Sequence, residues 1–365
     1  MLTISPISFL KKASLVLVLV TVASCKDNKP GPDNPGPSVP TTYNFSNVSY
    51  TGQTQRLSML DSITKYMSTA NTGMTLNAIT LKNMYANSGN PFNNATLDAS
   101  GKQLKNKTYA GDQMYFDNLF DSIAANSLAG NKTGSNGVAG LVASTVNPSK
   151  KYLFNANGVE YAQVIRKQLM GAVFYYQALE TYLAQLATKD NNTIVTGEGT
   201  VMEHSCDEAF GYFGVPVDFP TNLTGLRYWG SYANQVNKAT SSNANMMNAF
   251  LKLRNAISTK DYTTRDAQII VVREEWEKMV AASAILELTE AKKAFSDDAV
   301  RNHYLSEGIG FIHSLKYNTY KKITQSQIDA AVNALGTNLY DISTTKIDNA
   351  IGIINGVYGL NLSAF

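Results

Sequence analysis

Prolines decide most of what this chain can become. Five of its ten, Pro30, Pro32, Pro35, Pro37 and Pro40, fall within residues 26–42, and beyond them only Pro91, Pro148, Pro216 and Pro220 remain. Proline interrupts helix interiors and sheet ladders alike, so the following stretch of about 320 residues carries few imposed breaks. No part of it sustains the period-2 alternation of a half-buried strand, whereas apolar residues recur at 3–4 spacing throughout. The expected class is all-α, a helical bundle of two packed bundle-like halves.

The clearest pattern runs through Ala162, Ile165, Leu169, Ala172, Tyr176, Leu179, Leu183 and Leu186, a 3-4-3-4 rhythm that marks the seam of a bundle. Glu160 stands at its start, where a carboxylate favours the helix dipole. Helices are also expected over 53–69, 75–86, 111–128, 243–257, 261–295, 325–335 and 344–357, and another begins at Val300. The Gly- and Asn-rich segment 130–148 reads as a long loop. The aromatic cluster at 226–233 is expected in the core.

The N-terminus has a different character. Lys11 and Lys12 precede an apolar run, Ala13 to Val22, and then Ala23, Ser24 and Cys25. A basic start, about ten apolar residues and a small-residue cut describe a secretory signal over residues 1–24, too short to span a membrane. The Val22-Ala23-Ser24-Cys25 run resembles the bacterial lipobox, which implies lipidation of Cys25 and a membrane anchor. Asp27 follows Lys26 and not Cys25, so an Asp-after-Cys retention signal is missing and outer-membrane placement is the expectation. Residues 25–42 then form a stiff tether of roughly 50 Å, leaving 43–365 as the folded domain.

Composition excludes some roles. The formal charge is +3 and the basic residues form no stripe, so nucleic acid has no support as a partner. Neither a phosphate-binding Gly-rich loop nor a CxxC or HExxH motif occurs. With Cys25 lipidated, Cys206 is the only thiol, and its place on an apolar helix face suits a packed core residue.

One stretch concentrates chemistry. Thr200 and Glu203 have capping-box spacing, and Gly214 and Pro216 mark a stop, which predicts a helix over 201–213. His204 has Asp207 at i+3 and Glu208 at i+4, neighbours on a helix surface. An imidazole and a carboxylate so placed offer two ligands to a divalent cation; the same spacing also occurs as a solvated surface pair. Gly211 would let another backbone approach that face. His303 and Glu307 repeat the i,i+4 arrangement on another helix. Glu287, inside an apolar run, is either exposed or a buried acid that needs a partner.

These features together resemble a known family. The lipobox with its Pro-rich tether, Ser49 through Arg56, Glu160 through Ala172, His204 through Phe213 and Ser306 through Phe311 resemble an uncharacterised family of bacterial lipoproteins, distantly similar to imelysin-like proteins. The resemblance implies two bundle-like helical halves and an association with iron or other metal uptake; imelysin-like proteins were also once described as peptidases. Their hallmark is Gly-x-His-x-x-Glu. Here Met202 stands at the Gly position, His204 matches, and Asp207 takes the acid position with Glu208 one later.

The leading expectation is an outer-membrane-anchored lipoprotein that binds Fe, Zn, Mn or Cu in metal acquisition, without catalysis, and serves an outer-membrane transporter. Its ligands would be His204 with Glu208 or Asp207, completed by Glu160, Glu307 and His303 from neighbouring helices. A zinc-dependent peptidase and a surface binder of glycan or peptide are the alternatives. For the last, Trp229 and Trp276 are the available stacking platforms.

Overall fold

Every long run of helical spacing becomes a helix. A computed structural model describes residues 38–365. The signal-like segment 1–24, Cys25 and the tether as far as residue 37 lie outside the described residues. The chain begins with α1 (Thr51–Ser68), α2 (Ala78–Ala86), α3 (Ala95–Asp98) and α4 (Gln113–Ser127). A hairpin of β1 (Gly140–Ala143) and β2 (Lys151–Phe154) precedes α5 (Tyr161–Leu169). A second, β3 (Ile194–Val195) with β4 (Gly199–Thr200), feeds straight into α6 (Val201–Phe213). Next come α7 (Trp229–Gln235), α8 (Asn237–Thr240), α9 (Ser242–Ser258) and the long α10 (Tyr262–Lys293). The remaining helices are α11 (Asp298–Ser314), α12 (Gln325–Leu335) and α13 (Thr344–Tyr358). Helices dominate and the hairpins form only two-stranded sheets, so the class is all-α.

The first hairpin is what the reading of 130–148 as a loop missed. Strand β1 lies inside that segment, paired antiparallel with β2 from Gly140 opposite Phe154 to Ala143 opposite Lys151. Four residues are too few to display alternation, and the flanking Gly and Asn residues mask them.

The best-patterned helix also departs from expectation. After Leu169 the coil widens into π-type turns over Met170–Tyr175 and Gln177–Leu183. With more residues per turn, a 3–4 rhythm no longer follows one face. Met170 through Tyr175 are all buried, while Tyr176 of the expected seam is only half-buried. The segment is enclosed on all sides, as an all-round apolar helix must be.

α10 packs against both α9 and α11, α11 against α5, and α6 against α1. One hydrophobic core links these layers, and Val39–Phe365 form a single compact unit. α11 runs through Gly308 and Gly310 without a break. A Cβ on Gly310 would lie 2.6 Å from the Cβ of Lys167, so the bare position is what brings α11 and α5 together.

α6 forms as its caps dictate. The Thr200 hydroxyl accepts from the Glu203 N–H at 3.2 Å, and the Glu203 carboxylate accepts from the Thr200 N–H at 2.9 Å. Gly214 closes the helix in a left-handed conformation. The Thr200 hydroxyl also donates to Asn191 at 2.7 Å, tying the cap to the preceding loop. Thr200→Ala should cost about 1 kcal/mol, read as a lower urea midpoint at unchanged slope; an unmoved midpoint would show that the cap does not anchor α6.

Candidate functional site

The six ligand candidates do not converge. They fall into three settings, and among the described residues no hydrogen bond or ion pair joins any setting to another.

The first is a cleft between α6 and the start of α1. Gly211 makes it possible, because a Cβ there would sit 2.6 Å from the Cβ of Tyr50. That close approach brings Gln53 of α1 over Glu208, where its amide donates to Oε1 at 2.8 Å. The Tyr182 hydroxyl donates to the same oxygen at 3.2 Å. With Oε1 held, Oε2 faces His204 Nε2 at 3.9 Å. Both side chains are about one quarter exposed, and both line a cleft of about 190 Å³ that Gln53, Lys102 and Glu198 also line. His204 Nδ1 is buried and has no partner.

Asp207 does not join them. A step of three residues along α6 turns its side chain into the core, where it is fully buried. Oδ1 accepts from Arg254 Nε at 2.9 Å and from the Tyr43 hydroxyl at 2.9 Å, while Oδ2 has no partner. Burial pushes this carboxyl up to about 6, against the opposing pull of Arg254 and Tyr43. The expected His204–Asp207 pair is therefore replaced by an Asp207–Arg254 ion pair. Beside it, Cys206 is a buried free thiol pushed up to about 12 by burial and by Asp207, which suits a packing role.

The third setting lies between α5 and α11. His303 Nδ1 meets Glu160 at 2.6 Å, and its Nε2 stands 3.6 Å from Glu307. Lys167 Nζ, wholly buried, lies 3.0 Å from Glu307 and also bonds the Tyr232 hydroxyl. Glu287 is buried beside Glu307. The His303 ring stacks on Tyr152 with centroids 4.3 Å apart.

The charges here balance within the chain. Burial and the neighbouring Glu307 push Glu287 up to about 9, so it is a neutral acid and a donor. Burial raises Glu307 too, but Lys167 and His303 outweigh it and hold the carboxyl at about 2. For His303 burial opposes the charge, yet Glu160 and Glu307 prevail and its pKa rises. Glu160 and Glu307 thus face His303 and Lys167, and burial pulls the Lys167 ammonium below its ordinary range against the pull of Glu307. Where an added cation would sit, Lys167 already stands, so Glu160, Glu307 and His303 do not complete a shell around His204. Among the described residues, no three His, Cys, Asp or Glu side chains form a ready-made metal centre.

Trp229 and Trp276, the stacking platforms of the glycan reading, are fully buried core residues. Sequence reasoning overlooked Arg254 and Lys167. Arg254 carried a signal: it sits seven residues after Met247 on the apolar stripe of α9, a place where a charge must find a buried partner. Lys167 carried none, because its burial depends on the bare surface of Gly310 on another helix.

No curated protein and no solved structure matches the chain. A family described as a domain of unknown function, DUF4856, matches residues 40–360, from just before α1 to just beyond α13. That match spans nearly the whole described body, cleft and buried network included, and the chain belongs to the DUF4856 family.

Proposed function

We propose that the protein is a lipid-anchored, imelysin-like lipoprotein that captures a divalent metal ion between His204 and Glu208. The observation that carries this reading is the pair itself: an imidazole and a carboxylate one helical turn apart in an open cleft, with the acid already aimed. Two bonds of about 2.1 Å at a tetrahedral angle put donor atoms roughly 3.4 Å apart. The 3.9 Å between Nε2 and Oε2 is a small rotamer adjustment from that. Gln53 and Tyr182 hold Glu208 in the way that outer-shell groups orient metal ligands.

Glu198, at the tip of the β3–β4 hairpin, is the second acid that lines the cleft. Lys102 lines the same cleft, so a cation must compete with an ammonium for these acids. Two chain ligands with the other positions open suit an ion that is held and passed on, which fits cargo better than a structural ion. The donor set of imidazole and carboxylate suits Fe, Zn, Mn or Cu. Lipidation at Cys25 would place the cleft near the outer membrane, with a transporter there as recipient. A zinc peptidase asks for three protein ligands and a general base, and no observation favours it over capture.

Isothermal titration with each ion tests the proposal. His204→Ala should weaken binding by at least the roughly 10–100-fold typical of outer-shell changes, and Glu208→Gln should do likewise. Acid should weaken it as well, because ligands must shed their protons. Equal affinity in the parent and in both variants would remove His204 and Glu208 from the function.

A further inference from the structure

A second polar cavity, apart from the cleft and bordering the buried network at Tyr232, is lined by two arginines. It measures about 200 Å³ and is bounded by Asp61, Arg166, Arg227, Tyr228, Ser231 and Gln235. This is smaller than pockets for drug-sized ligands, which run about 300–1,000 Å³.

Arg166 is the anomaly. Among the described residues Arg227, Arg254, Arg265, Arg273 and Arg301 each have a carboxylate partner. Arg56 donates to the backbone carbonyls of Gln103 and Gly52 instead. Arg166 has neither kind of acceptor, and its Nε is buried without a partner. The guanidinium lies over the Tyr228 ring, 5.8 Å from its centroid. A guanidinium presents up to five donors in a rigid fork, and here that fork opens on a cavity.

Tyr228 adds a second, independent sign. Its side chain is 95% buried by area, since only 5% remains exposed, and its hydroxyl has no full hydrogen bond, although it faces Asp61. Burial, and then Asp61, push this phenol well above its ordinary range, so it stays a donor. Its backbone is at φ 44° and ψ −110°, a positive-φ conformation that a bulky residue rarely adopts. Such strain persists where the surroundings demand it, and it collects at binding sites. Arg227, the residue just before Tyr228, pairs with Asp61 at the rim. The two guanidinium groups against one carboxylate leave the cavity with one net positive charge. The Ser231 hydroxyl accepts from Gln235 at 3.3 Å and keeps its own proton free to donate.

We propose that this cavity binds a small oxyanion, a phosphate or a carboxylate, gripped by the fork of Arg166 and closed over by Arg227 and the Tyr228 hydroxyl. Arginine is the side chain whose planar geometry matches both anions, two bonds at a time. Asp61 would yield part of Arg227 to the ligand.

Titration calorimetry of the purified protein with inorganic phosphate, sulfate, succinate and citrate tests this, with no metal added. At least one should bind saturably at one site per chain, and the preferred probe separates a tetrahedral anion from a carboxylate. Arg166→Gln should weaken that probe by about tenfold or more, the usual weight of a charge-assisted hydrogen bond. Tyr228→Phe, which keeps the ring and removes only the donor, should weaken it by about threefold to tenfold. If Arg166→Gln does not fold, the Tyr228→Phe result decides. No saturable binding by any probe, or unchanged affinity in the folded variants, overturns the proposal.

Discussion

Arg254→Ala should lower the unfolding free energy by about 3–5 kcal/mol, the cost of leaving a buried charge unpaired. The guanidinium is fully buried between α6 and α9 and organises its surroundings. Nε donates to Asp207 at 2.9 Å, Nη1 donates to Glu203 at 2.6 Å and to Ser258, and Nη2 donates to the Ser46 carbonyl at 3.3 Å. Without it, Asp207, which is fully buried, keeps only the Tyr43 hydroxyl. Urea denaturation at neutral pH reads the loss directly. The double variant Arg254→Met with Asp207→Asn should recover much of it, since the deepest charge is then no longer stranded and Glu203 keeps the Thr200 N–H and the Ser258 hydroxyl. A single-variant loss below about 1 kcal/mol, the scale of an exposed pair, would mean that water reaches this site. Because α6 also carries His204 and Glu208, the single variant should disturb the cleft as well.

Glu287→Gln should stabilise the protein progressively as pH rises, and the parent should show the opposite trend. The folded carboxyl is pushed from 4.5 up to about 9, by burial first and by Glu307 second. Between those two values the unfolded chain releases this proton while the folded protein keeps it. Stability from this group is therefore whole below about 4.5 and is lost as pH climbs through about 9. The slope approaches about 1.4 kcal/mol per pH unit for one proton. His303, also raised, adds to the loss above its ordinary range, whereas Glu307, held at about 2, loses its contribution only in acid, below 4.5. Glutamine keeps an N–H donor toward Glu307 and removes the titration. Denaturation midpoints of parent and variant from pH 6 to 9 should diverge, with the variant higher at the alkaline end. Parallel curves would mean that Glu287 is already ionised in the fold, paired with Lys167.

How much of the candidate site could be read beforehand depends on how far apart its parts lie in the chain. The His204–Glu208 pair is set by helical geometry alone, and the structure places both in one cleft as the i,i+4 spacing implies. Gly211 forecast a close approach, though not that Tyr50 and Gln53 would make it. The other expected acids went elsewhere: Arg254 took Asp207, Lys167 took Glu307, and His303 took Glu160. Desolvated charges pair with the nearest opposite charge, and which one is nearest is a property of packing.

The division between chain and fold is clearest in α6 and in the coil after α5. Caps, turn residues and apolar spacing act over a few neighbours, so the local order of residues alone determined the helical class, the limits of α6 at Val201 and Phe213, and the core places of Trp229 and Cys206. Tertiary structure alone decided the π-type turns after Leu169, the inward turn of Asp207, the burial of Lys167 against Gly310 and the unpartnered fork of Arg166. Those outcomes rest on contacts between segments far apart in the chain, 47 and 164 residues for the two partners of Asp207, where the cost of burying a charge or a backbone group is settled by what happens to lie across from it.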